Sequence, residues 1–161
     1  MRTKTKKRSR PSIGKKRPDA ARLVQSFLER NIKLSSEEVG YLDTFALSHL
    51  ELIAKGGAEK ESWQAVADAI NMALVLSEIF GLSDQSGSAL EAAHAAMVSL
   101  RDRKRSGLSL VAKASELDAI RVALDIASQL QEMCTRAHLR KAHDAIVRKV
   151  LKKKKPAIPC L

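Results

Sequence analysis

Between Val39 and Val150 the apolar residues of this chain return every three or four positions, a run punctuated by Gly56-Gly57, Gly81 and Gly107. That period matches one face of an α-helix, whereas a half-buried strand needs alternation. Composition agrees: Ala, Leu, Lys, Glu and Ser dominate, and seven Gly and four Pro in 161 residues are too few for the turns of an all-β domain. With 45% hydrophobic residues the chain can bury one core of ordinary size. An all-α helical bundle of five to six helices is expected, spanning 19–153 between a basic arm at 1–18 and a flexible tail at 154–161.

The helices are read off in order. Residues 19–30 (DAARLVQSFLER) follow Pro18 with Leu23, Phe27 and Leu28 on one side. Ser35-Ser36-Glu37-Glu38 has capping-box spacing, and Val39, Leu42, Ala46, Leu50 and Ile53 form the apolar stripe that follows, ended by Gly56-Gly57. A third helix runs from about Glu59 to Phe80 on Trp63, Val66, Ile70, Ala73 and Leu74. A fourth runs from about Ser88 to Arg105 on Leu90, Ala93, Met97 and Leu100, with GLSDQSGS (81–88) read as the loop before it. A fifth starts near Ser115 on Leu117, Ile120, Leu124, Ala127 and Leu130. A sixth, from about Arg136 to Lys153, uses Leu139, Ala142, Ile146 and Val150. Thr135 can cap that last helix, yet no Gly or Pro forces a break, so one helix of nearly forty residues stays open as an alternative.

The chain also aligns with itself. ESWQAVADAINMALVL (61–76) matches SELDAIRVALDIASQL (115–130), with Trp63 on Leu117 and with Ala65, Ala69 and Ala73 on Ala119, Ala123 and Ala127. LEAAHAAMV (90–98) matches LRKAHDAIV (139–147), with His94 on His143. The expectation is two duplicated antiparallel hairpins, 59–105 and 115–153, related by a pseudo-twofold axis, their alanine columns letting helix axes approach closely. Trp63, the only tryptophan, is expected in the core.

Charge is segregated. The net charge is +11, but residues 1–18 carry nine cations (Arg2, Lys4, Lys6, Lys7, Arg8, Arg10, Lys15, Lys16, Arg17) and no acid. Residues 148–155 carry Arg148, Lys149, Lys152, Lys153, Lys154 and Lys155, again without an acid. The stretch 19–147 has 14 basic residues against 18 acids and is mildly acidic. The first arm has almost nothing apolar to offset its ordering entropy, so it is expected to be disordered. Such runs suit polyanions, because each cation that neutralises a phosphate releases a condensed counterion. The runs contain no aromatic residue for base stacking. Arg101, Arg103, Lys104 and Arg105 end the fourth helix, where cations favour the helix dipole. They are also candidates for a third basic patch joining the two ends on one surface.

Other chemistry is sparse. His94, His138, His143 and Cys134 are the metal-ligand candidates, but a Cys and a His one turn apart leave a tetrahedral site half-filled, so no metal or other cofactor is expected. No nucleophile elbow or phosphate-cradling glycine loop occurs. Cys160 is second from the end, out of register for prenylation. Asp68, Asp118 and Asp125 sit among apolar residues but can face outward. No enzyme is expected. The longest stretch without a charge is nine residues, too short to span a bilayer, and no apolar segment follows the basic start as in a secretory signal. Two cysteines make no disulfide framework, which suits a reducing, cytoplasmic compartment.

The succession WQAVADAINMALVLSEI, a helix ending LRDRKRSG, and ELDAIRVALDIASQLQEMCT resembles small helical proteins of proteobacteria and their phages or plasmids. Many of those begin with a Lys/Arg/Pro-rich arm like KKRSRPSIGKKRP. The resemblance covers most of 59–145 and implies a bacterial, mobile-element setting; it carries no activity and no catalytic residue. Two functions fit these residues. One is a non-enzymatic accessory protein that associates with nucleic acid through its basic ends. The other is a helical protein-interaction module, binding a partner or a second copy, with its tails serving solubility or steering.

Overall fold

The computed structural model describes residues 32–151. The arm at 1–18, the helix read at 19–30 and the tail from Lys152 onward lie outside the described residues. Five helices follow one another: α1 (Ser36–Lys55), α2 (Lys60–Phe80), α3 (Ser83–Arg105), α4 (Ala114–Glu132) and α5 (Arg136–Leu151). Among the described residues there is no strand, only an isolated antiparallel bridge between Lys33 and Thr135. The chain is an all-α helical bundle.

Local sequence sets the ends of these helices. The Ser35 hydroxyl accepts from the Glu38 amide at 3.1 Å and the Glu38 carboxylate accepts from the Ser35 amide at 2.8 Å, completing the capping box that starts α1. Gly56 closes the helix in the left-handed region at φ 77°, where a Cβ would sit 3.0 Å from a Val111 methyl. Gly56→Ala therefore combines an unfavourable backbone with a tight contact and should destabilise by about 1–2 kcal/mol. Gly40, within α1 and with nothing within 4 Å of its would-be Cβ, is the opposite case. Gly40→Ala should stabilise by about 0.5–1 kcal/mol. Urea unfolding of the two variants checks the contrast in sign.

Helix α2 is the axis of the bundle: α1, α3, α4 and α5 all pack on it. Its buried side chains include Trp63, Val66, Ala67, Ile70, Ala73, Val75 and Leu76, a spread wider than one stripe, as a helix covered on several sides requires. Helices α3 and α4 pack on each other, and α1 covers α2 and α4. The small residues Ala93, Ala96, Ala123 and Ala127 are all buried along these seams. Trp63 is fully buried, and its indole Nε1–H donates to the Met97 carbonyl at 3.2 Å.

Two expectations are corrected here. Helix α3 begins at Ser83, five residues before the expected start, so most of GLSDQSGS is helix and the connection shrinks to Gly81-Leu82. The serines that read as loop are used inside the fold. The Ser86 hydroxyl donates to the Leu82 carbonyl at 3.0 Å, which leaves the buried Ser77 hydroxyl to donate to Ser86 at 2.7 Å.

The second correction concerns the repeat. The chain breaks at Met133–Thr135, which removes the forty-residue helix. The Thr135 hydroxyl accepts from the His138 amide at 3.4 Å, the capping role its position suggested. The bridge to Lys33 and a bond from the Arg136 amide to the Ile32 carbonyl (2.9 Å) hold the corner. Yet 115–153 is not a hairpin like 59–105, because α5 packs on α2 instead of lying along α4. It also crosses α2 steeply. His138 and Lys149, about 16 Å apart along α5, reach Phe80 (ring centroids 5.0 Å) and Glu78 (3.1 Å), two residues apart on α2. What the two halves share is a burial register: Val66 and Ile120, Ile70 and Leu124, Ala73 and Ala127, Leu76 and Leu130, and Ala93 and Ala142 are buried in both.

Candidate binding surfaces

The basic residues were the sequence's strongest functional signal, and the fold separates those it describes. At the end of α3, Arg103 is not a surface cation. Its guanidinium forks onto both Glu116 oxygens at 2.7 Å and also donates to the Val111 carbonyl (3.1 Å) and the Ser99 hydroxyl (3.1 Å). With side-chain exposures of 20% for Arg103 and 12% for Glu116, the pair is sheltered and clamps the α3–α4 loop. Arg103 therefore leaves the set of phosphate-contacting candidates. Arg101 pairs with Asp102 at 2.8 Å, while Lys104 and Arg105 are exposed.

At the end of α5, Arg148 Nε donates to the Asp144 carbonyl and Lys149 pairs with Glu78. The two groups do not share a surface. The Trp63–Met97 bond places the end of α3 beside the start of α2, whereas Lys149 lies against the end of α2. Fifteen residues of helix, about 22 Å, separate Trp63 from Glu78 along that axis. Among the described residues, Arg101–Arg105 and Arg148–Lys149 thus stand near opposite ends of α2. Arg2 to Arg17 and Lys152 to Lys155 lie outside the described residues.

The Arg103–Glu116 fork makes a pH-dependent contribution. Hydrogen bonds from Arg103, joined by one from the Lys113 amide at 2.8 Å, outweigh desolvation and hold the Glu116 carboxyl at about 2, below its ordinary 4.5. Because the folded value is depressed, the pair's contribution is fully present above pH 4.5 and is lost as pH falls from there toward 2. Glu116→Gln should cost on the order of 1.5–3 kcal/mol at neutral pH. The gap between parent and variant in denaturant unfolding should narrow across that acid window.

Sequence reasoning missed a groove. Helices α1 and α5 flank α2, bridged at one end by the Glu38–Arg136 ion pair (2.9 Å), and leave beyond it an apolar trough of about 480 Å3. Leu42 and Phe45 form one wall, Leu139, Arg140 and His143 the other, and Ala65, Asp68, Ala69 and Met72 the floor. Leu42, assigned from periodicity to the buried stripe, is 38% exposed here because it lines this trough. Tyr41 stacks on Phe45 (centroids 6.4 Å), and both rings are largely open to solvent. Gln131 also lines the trough; it is 6% exposed, and its Oε1 receives no hydrogen bond. The trough pushes the Asp68 carboxyl up through desolvation, opposed by a 2.7 Å bond from Gln64 Nε2 and by His143.

The metal-ligand candidates are dispersed. His138 Nδ1 accepts from the Thr135 amide, His143 faces the trough and His94 is half-buried on α3. Cys134 is buried at the α4–α5 corner, where desolvation pushes its thiol up to about 11, so it carries no thiolate at neutral pH. Among the described residues no three His, Cys, Asp or Glu side chains converge on one point, and no helix is long and apolar enough to cross a membrane. No family model matches the chain, and neither a curated protein nor a solved structure shows detectable similarity to it.

Proposed function

We propose that the chain is a non-enzymatic, cytoplasmic accessory protein of a bacterial or mobile-element setting that associates with nucleic acid through its basic ends. The observation that carries this reading is charge segregation: fifteen cations and no acid in 1–18 and 148–155, against a mildly acidic remainder. Binding of this kind is a matter of phosphate neutralisation and counterion release, and it is indifferent to base sequence. The test is fluorescence anisotropy with a labelled duplex of arbitrary sequence. Saturable binding at low salt that weakens steeply as salt rises is expected, and absence of binding at low salt refutes the reading.

A second reading, a helical protein-interaction module, is favoured by the exposed Tyr41 and Phe45 rings beside the trough. An apolar helical interface, with a partner or a second copy, keeps its affinity as salt rises, so the same titration separates the two readings.

A further inference from the structure

We propose that the trough between α1, α2 and α5 is a binding site for a small cationic amphiphile, a protonated amine carried on an apolar body. The inference stands on the trough and does not depend on what the basic ends bind.

Size and shape are the first argument. At about 480 Å3 the trough lies within the roughly 300–1,000 Å3 of small-molecule sites, which are concave and mostly apolar. The Glu38–Arg136 pair crosses from α1 to α5 about one turn before Leu42 and Leu139, and so bars the trough on that side. A helix of a partner protein needs an open-ended groove about 10 Å wide. A compact molecule needs only the pit.

Polar accounting gives the head group. Gln131 lines the trough at 6% exposure, and its Oε1 receives no hydrogen bond. A buried acceptor without a donor costs free energy, which a bound N–H recovers. The Asp68 carboxylate lines the same trough, where desolvation disfavours its charge and the Gln64 amide and His143 offset this only in part. Both groups accept, and an ammonium has three protons to give.

Charge fixes the sign. Gln131, Leu42, Ala46 and Ala69 also border a smaller cavity of about 90 Å3, which Asp43 and Asp125 line. Around the two spaces together stand the carboxylates of Asp43, Asp68 and Asp125, against Arg140 and His143. A concave apolar surface with that balance concentrates cations and disfavours a carboxylate ligand.

The test follows the amide chemical shifts of the isotope-labelled full chain by NMR. The probes are phenethylamine, tryptamine and adamantylamine, each beside its carboxylate counterpart (hydrocinnamate, indolepropionate, adamantanecarboxylate). Saturable shifts at Ala65, Ala69, Met72 and Leu139 are expected with at least one amine. Asp68→Asn should weaken that amine about tenfold, the loss of one charge-assisted hydrogen bond, and Gln131→Leu about fivefold, the loss of a neutral one. Asp118→Asn on α4, where the carboxylate stands in solvent, changes the net charge equally and should leave the affinity unchanged. Equal affinity for the parent and either trough variant overturns the proposal, as does the absence of saturable trough shifts with all three amines. Saturation by the carboxylates alone overturns it by reversing the sign. Trough shifts that grow with protein concentration and no probe also overturn it, by assigning the trough to a second copy.

Discussion

Trp63→Ala is expected to lower stability by about 3–5 kcal/mol, the largest loss from any single side chain in this fold. The indole is fully buried at the α2–α3 seam, and its N–H is satisfied by the Met97 carbonyl. Truncation removes apolar surface from water-free packing and leaves a cavity that rigid helices on both sides cannot close. Trp63→Phe retains most of the ring and loses only the hydrogen bond, so it should cost distinctly less, about 1–2 kcal/mol. The counterpart position gives an internal control: Leu117 is half-buried at the start of α4, and Leu117→Ala should fall well below Trp63→Ala. Urea unfolding followed by circular dichroism measures all three. An unchanged midpoint for Trp63→Ala would mean that the indole does not hold the two helices together.

What the sequence discloses about this fold is local. The Ser35 capping box, the Gly56 and Gly81 stops and the Thr135 cap each depend on residues within four positions of one another, and each is found where the spacing puts it. The apolar stripes are equally legible: Leu90, Ala93, Met97 and Leu100 are all buried. Periodicity names the face of a helix that is buried but not the helix that covers it. This is why α5, whose stripe suits α4 and α2 alike, was expected in a hairpin and is found across α2. Ser86 read as loop because serine competes for backbone bonds in isolation. Its hydroxyl finds Ser77 only once α2 and α3 are folded against each other.

The binding surfaces were less legible for the same reason. Arg103 and Glu116 are thirteen residues apart on different helices, so no intrahelical spacing marks them as a pair. The trough left one trace: Tyr41 and Phe45 are apolar residues that the buried stripe of α1 does not use. That surplus is visible in the sequence, but only the packing of α1 and α5 on either side of α2 turns it into a groove.

The second large effect is expected from the basic arm. Removing residues 1–18 deletes nine cations and takes the net charge from +11 to +2. The described helices should persist, because none of their core residues goes with the arm. Each neutralised phosphate contributes about 0.9 to the slope of log affinity against log salt on duplex DNA, so nine contacts would contribute about 8. Lys-to-Arg exchange within the arm should change little, since point-charge contacts with phosphate tolerate it. Removing Lys152–Lys155 as well should flatten the slope further.

The most direct measurement is therefore a salt titration of binding to one unrelated duplex, with the full-length chain and the chain lacking residues 1–18 side by side. Association through the basic ends predicts a steep slope for the full-length chain and a slope shallower by several units for the shortened one. Equal slopes for the two, or no binding by the full-length chain at low salt, would contradict it.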